Sequence, residues 1–133
     1  MFDGEIDQSR FWELALSPLQ ERIFENRNNS NLAKTFQICK ENNFGNFVLL
    51  RFLEQLKEEN WRLVLMIDEF DIILYNPTLN SAEFYGGLRS LASTTRGALA
   101  LIIASRLSLS DLDVATQKFS RTGSPYFNIF DEI

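Results

Sequence analysis

RLVLMIDEFDIIL, residues 62–74, sets the frame for the rest of the chain. Its first part, Leu63 to Ile67, is unbroken apolar sequence. A short run with no polar alternation is what a strand buried on both faces requires. The run then delivers Asp68, Glu69 and Asp71 within four positions. A second run of the same kind, ALALIIAS, lies at 98–105. Between the two, NPTLN (76–80) reads as a turn. Asn80, with Glu83 three positions on, reads as the cap of a helix that carries Phe84, Leu88, Leu91 and Ala92 on one face. Gly97 ends that region. Strand, helix, strand predicts a βαβ unit, with parallel strands over 62–67 and 98–105. Each strand is expected to be central in a sheet covered by helices.

Working outward, residues 1–60 read as helical. From Ser9 to about Asn26, the residues Phe11, Trp12, Ala15, Leu16, Leu19 and Ile23 share one broad face. Ser17-Pro18-Leu19-Gln20 inside it has the form of a helix start, which predicts two short helices or one kinked helix. NRNNSN (26–31) is a loop by composition. Residues 32–41 read as a short helix. Gly45-Asn46 opens a clearer one, with Leu49, Phe52, Leu53 and Leu56 on a common face. After the second strand the chain reads as a short helix, SDLDVATQKF, and a loop, SRTGSPYFN. The 133 residues suit one domain with one core.

Composition narrows the function classes. The net charge is -5 and the sequence pI is about 4.7, which argues against a surface built for phosphate-backbone binding. The apolar runs are too short to span a bilayer, and MFDGEIDQSR has no signal-peptide shape. The expected location is the cytoplasm. There are no histidines, which removes Ser-His and Cys-His nucleophile pairs and His-containing zinc sites. The single cysteine, Cys39, has no partner for an internal disulfide and reads as a small packing residue.

The acids sit where an open parallel sheet binds ligands, beyond the carboxyl ends of its strands. Asp68 and Glu69 stand at that end of the first strand, and Ser105 and Arg106 at that end of the second. As neighbours, the strands bring all four to one crevice. There a carboxylate can hold Mg²⁺, a second can orient an attacking water, and a hydroxyl and an Arg can address phosphate. The same spacing also fits a plain structural role. Asp caps helices, Glu favours a first helical turn, and Arg106 can form a salt bridge at the strand end. Asp71 reads as a second-turn surface acid.

The wider text resembles a known family. An apolar run ending in Asp-Glu, then DEFDIILYNPTLNSAEFYGGLRSLAS, ALALIIASR and FSRTGSPYFNIF, is similar to the AAA-like ATPase domain of bacterial AAA+/STAND proteins. The likeness covers roughly residues 40–130 and is looser before them. It implies a partial P-loop NTPase of three-layer α/β/α form, with 1–60 as a helical region and 61–133 as the Walker B and sensor-1 region. It implies that Asp68 is the Walker B aspartate acting on Mg²⁺ through its water shell. It implies that Glu69 is the catalytic base, and that Ser105 is the sensor-1 residue reading the γ-phosphate of ATP or positioning water. Arg106 becomes a candidate phosphate contact, and Arg121 a weaker candidate for a phosphate or inter-subunit contact. Arg89 becomes structural or a subunit-surface residue.

One part of that pattern is missing. The phosphate-binding loop, G-x-x-x-x-G-K-[ST], cradles the phosphates with backbone N–H groups and a Lys. The six glycines and four lysines of this chain never form it, because no Lys follows a Gly. The resemblance therefore implies a chain that begins after the first strand and its loop, as a truncated, split or decayed copy. Such a chain is expected to bind Mg-ATP poorly and to be inactive alone. In the family the sensor-1 strand lies between the Walker A and Walker B strands. Absence of the Walker A strand would leave residues 98–105 as an open apolar edge, expected to self-associate or to pair with the missing half. Two other functions are compatible with the residues. One is a non-catalytic protein-interaction module that keeps the fold. The other is a Mg²⁺-dependent phosphatase or nuclease using Asp68, Glu69 and Asp71.

Overall fold

The computed structural model describes residues 6–25, 30–119, 126, 127 and 130. Three helices come first: α1 (Gln8–Glu25), α2 (Ser30–Glu41) and α3 (Asn46–Glu58). Strand β1 (Leu63–Ile67) leads into a 3-10 helix, Phe70–Tyr75. Helix α4 (Ala82–Thr94), strand β2 (Leu99–Ile103) and helix α5 (Leu109–Thr116) complete the order, with a last 3-10 turn at Gln117–Phe119.

The strands pair in parallel with no offset, Leu63 against Leu99 through Ile67 against Ile103. A parallel pair needs a long crossover, and residues 68–98, with α4 among them, supply it. The βαβ reading thus holds, and the chain is an α/β fold. Each strand is shorter than expected, five residues in place of 62–67 and 98–105.

The covering of the sheet differs from the expectation. Odd-numbered side chains (Leu65, Ile67, Leu99) turn inward and are buried. Even-numbered ones turn out, leaving Val64 52%, Met66 73% and Ile102 51% exposed. Two strands cannot make each other central, and among the described residues the helical core lies against one face. Apolar residues on both faces told that both could be buried, not that both are.

That core joins the two halves of the chain. Phe11 of α1 meets Phe84 of α4 edge to face, with ring centroids 5.0 Å apart. Phe36, at the centre of α2, packs the same way on Phe52 of α3, 5.5 Å away. Leu49, Phe52, Leu53 and Leu56 are all buried, as their shared face predicts. Each such side chain, fully removed from water, contributes about 1.5–3 kcal/mol.

Local chemistry sets several boundaries. α1 runs unbroken through Pro18, so Ser17 starts no second helix. The flanking turns hold it, with Phe11, Trp12, Leu16 and Ile23 buried. Gly45 precedes α3 in extended backbone and is its N-cap. Ser81, not Asn80, caps α4 by accepting from the Phe84 N–H at 3.2 Å. Asn80 is taken instead by the Tyr85 hydroxyl at 2.7 Å. Asn76 organises the turn before it, its side-chain oxygen accepting from the N–H groups of Thr78 and Leu79. Ser108 caps α5 through the Asp111 N–H.

Candidate functional site

The carboxyl ends of β1 and β2 form the site. The ladder reaches past the strands proper. Ala104 donates its N–H to the Ile67 carbonyl at 2.9 Å, and Phe70 donates its N–H to the Ala104 carbonyl at 2.8 Å. Asp68 and Glu69 therefore lie between these two bonds, both opposite Ala104, the residue before Ser105 on the neighbouring chain segment. The four residues named from sequence are brought to one end of one sheet.

Asp68 and Glu69 are both exposed. Asp68 Oδ1 accepts from the Glu69 N–H at 2.9 Å. Glu69 itself is left-handed, φ 52° and ψ 45°. That conformation turns the chain sharply from extended strand into the 3-10 helix and sets the two acids at the turn. It is strained for a residue with a Cβ. Asn43, Phe44, Asn60 and Arg96 also have positive φ, so strain alone does not single out Glu69.

Asp71 corrects the sequence reading. It is not a surface acid but a buried one, 3% exposed. Its Oδ1 accepts from the Arg106 N–H at 3.1 Å, and its Oδ2 from Arg106 Nε at 3.1 Å. Arg106 Nη2 also stands 3.1 Å from Oδ2, a two-point fork. The main-chain hydrogen bond from Arg106 holds the Asp71 carboxyl below the usual carboxylate range, and the guanidinium adds to it against the opposing effect of burial. Of the two roles open to Arg106, the strand-end salt bridge is the one formed. Its side chain remains 77% exposed beyond the bond. Sequence alone missed Asp71 because an acid two residues after Glu69 carries no sign of which face it takes in a 3-10 turn.

Ser105 is half-buried, and its Oγ accepts from the Leu107 N–H at 3.0 Å. The hydroxyl proton is left to donate. Arg89 lies on α4, half-buried beside Leu88 and Tyr126. Arg121 and most of the SRTGSPYFN loop lie outside the described residues.

The donor set bears on metal binding. Among the described residues no group of three or more acid, Cys or His side chains could hold a metal by itself. Asp68 and Glu69 offer what Mg²⁺ ordinarily takes from protein, one or two carboxylates, with water and phosphate oxygens filling its other positions. The pair fits a metal that arrives with a phosphate ligand and does not fit a phosphate-independent metal cage. The phosphatase or nuclease alternative, which would add Asp71 to the ligands, loses that acid to Arg106.

Cys39 is fully buried, its thiol directed to the Val48 carbonyl at 3.3 Å, and burial pushes it up to about 12. It is a packing residue, as expected. Among the described residues, no helix is long and apolar enough to cross a membrane. No family model, no curated protein and no solved structure matches the chain.

Proposed function

We propose that this chain is the acid-bearing half of an ATP-hydrolysing regulatory domain of the AAA-like, AAA+/STAND type, working in the cytoplasm. The reading extends to the sheet: a three-layer α/β/α P-loop NTPase, completed by a part that brings the phosphate-binding loop. One observation carries it. The in-register parallel pairing of β1 and β2 sets Asp68 and Glu69 beside Ser105 and Arg106 at the carboxyl end of the sheet, where such folds bind ligands.

Each residue then has a role suited to its surroundings. Asp68 would hold Mg²⁺ through its water shell with the oxygen not engaged by the Glu69 N–H. Mg²⁺, when bound with ATP, neutralises charge on the phosphate oxygens. Glu69, exposed at the turn, would accept a proton from the attacking water. Ser105 can donate its hydroxyl proton to a γ-phosphate oxygen. Arg106 commits Nε and Nη2 to Asp71, so its Nη1 N–H groups are what it can offer phosphate. The same bond fixes where they point. Without a phosphate loop, the carboxylates alone repel a triphosphate, so the chain by itself is inactive.

A second reading, a non-catalytic protein-interaction module, is favoured by the apolar face of Val64, Met66 and Ile102, which is exposed among the described residues. Reading the DNA immediately upstream of the Met1 codon separates the two. A G-x-x-x-x-G-K-[ST] motif after a short apolar run, in frame or one shift away, supports the ATPase. The rejoined halves should then hydrolyse ATP, and Glu69→Gln in them should keep ATP binding and lose turnover. No such motif there would transfer the case to the interaction module.

A further inference from the structure

Past its last residue pair, Ile67 with Ile103, the ladder between the strands is continued by a side chain. In a parallel ladder every second residue of a strand bonds, through its N–H and its C=O, to the two residues that flank its partner. Glu69 is next in that order after Ile67. It would give its N–H to the Ala104 carbonyl and take the Arg106 N–H on its own carbonyl. It does neither. Held left-handed, Glu69 turns its N–H to Asp68 Oδ1 at 2.9 Å. Its carbonyl is drawn into the 3-10 helix, where the Ile72 N–H donates to it at 3.0 Å. Phe70 donates to Ala104 in its place. The Arg106 N–H goes to Asp71 Oδ1 at 3.1 Å. The Asp71 carboxylate thus makes the rung that the Glu69 carbonyl does not.

That rung sits inside the candidate site. Ser105 lies between Ala104 and Arg106, and both neighbours are bonded across to the chain that follows β1. Take away Asp71, and Ser105 is tied to the acid-bearing turn on one side only. Asp71 itself is buried, 3% exposed, with one oxygen on the Arg106 N–H and the other on its guanidinium. It is placed to hold the site rather than to touch a ligand. A buried charged pair often adds no net stability over apolar residues of like volume, so stability alone is a weak reason for this one. A strained turn such as the one at Glu69 keeps its form only where its surroundings hold it.

We propose that Asp71 is a positioning residue. Through the Arg106 N–H it sets the separation of Ser105 from Asp68 and Glu69, so that one metal–phosphate group can reach both strand ends. The assignment rests on the nucleotide reading above. It adds to that reading a residue that meets neither metal nor phosphate.

The test uses the full chain, with Mn²⁺ in the place of Mg²⁺ and ATP in excess over it, at millimolar concentrations. The unpaired electrons of Mn²⁺ broaden the NMR signals of nearby amides, steeply with distance. The ratio of broadening at Ser105 to that at Glu69 depends neither on how much probe is bound nor on stability, so a merely structural role would leave it unmoved. Both amides should broaden in the unaltered chain. Asp71→Ala should lower the ratio several-fold while the helical circular dichroism is kept. Asp71→Asn retains an Oδ1 acceptor and should restore most of it. Arg106→Ala leaves the main-chain N–H on Asp71 and should leave the ratio as it is. Arg106→Pro removes that N–H and should match Asp71→Ala, which keeps the question decidable if Asp71→Ala does not fold. An unchanged ratio in Asp71→Ala or Arg106→Pro, or a collapse of the ratio in Arg106→Ala, would overturn the proposal and leave the nucleotide reading standing. Broadening at neither amide of the unaltered chain, or at Glu69 alone, would overturn that reading and the proposal with it.

Discussion

Asp71 and Arg106, thirty-five positions apart in sequence, are joined by a main-chain and a side-chain hydrogen bond, both 3.1 Å. Asp71 follows β1 and Arg106 follows β2, so this pair ties the two strand ends behind Asp68 and Glu69. It sets the spacing of the candidate site more tightly than the exposed acids could by themselves.

The tie is pH-dependent. The folded state holds the Asp71 carboxyl below its ordinary value, chiefly through the Arg106 main-chain N–H. The stabilisation is therefore full above the unfolded value, about 3.9, and is lost as pH falls through the lower folded value. Asp71→Asn should flatten the acid limb of a plot of Tm against pH below about 4 and lower Tm at pH 7. An unchanged acid limb would mean that other carboxylates govern acid unfolding.

Glu69 is held where glycine is at ease. Glu69→Gly should leave the isolated chain equally stable or raise its stability by up to about 1 kcal/mol, the left-handed penalty less the added freedom of the unfolded chain. Glu69→Val should destabilise it, because a branched Cβ tolerates positive φ least. Urea titration of the two variants checks the order. A stability gain from removing Glu69 would be the mark of a residue kept for something other than folding.

Two adjacent glycines in α4 should respond differently. A Cβ on Gly86 would meet Tyr126 Cε1 at 3.7 Å, ordinary contact, whereas one on Gly87 would meet Asn46 Nδ2 at 2.9 Å. Gly86→Ala should stabilise by about 0.5–1 kcal/mol, the helix-interior difference between the two residues. Gly87→Ala should gain less or lose stability, because the Asn46 side chain at the start of α3 must move. Denaturant midpoints settle the ranking.

Much of this fold was legible because apolar periodicity reports which segments can be buried. It found the α3 face from Leu49 to Leu56 and both strands, and the turn signals found the βα connection. What it did not report is what does the burying. Val64 and Met66 look the same in sequence as Leu65 and Ile67, yet one pair is exposed and the other buried. Caps were legible only to within a residue, because Asn80 and Ser81 are both good cap residues and the Tyr85 hydroxyl takes one of them. Asp71 was misread for a related reason. Its burial depends on Arg106, a partner that only the pairing of the strands brings near.

Cys39 gives a probe of opening. With its thiol buried and pushed up to about 12, it should resist alkylation at pH 8 in the folded chain and react readily in denaturant. The sign of its pH effect is opposite to that of Asp71. The fold favours the neutral thiol, so its contribution is full below the unfolded value, 9.0, and is lost as pH rises from there toward 12. Cys39→Ala should remove that alkaline loss while costing packing. Fast labelling of the folded chain would mean that α2 and α3 part more readily than their buried aromatic contacts suggest.

The nucleotide reading makes a negative prediction for this chain by itself. Asp68 and Glu69 are exposed anions at the end of the sheet, and no phosphate loop is present among the 133 residues. Mg²⁺ needs phosphate ligands to stay with one or two carboxylates, and the phosphates have only Ser105 and the Nη1 side of Arg106 to hold them. Isothermal titration with Mg-ATP should therefore give a Kd no tighter than about 1 mM, a binding energy near 4 kcal/mol. Low-micromolar binding would require a phosphate cradle elsewhere and would remove the reason for assigning the chain to half of a site. Weak binding that strengthens only with a loop-bearing partner, and that survives Glu69→Gln while turnover does not, would place Glu69 in the chemistry rather than in the binding.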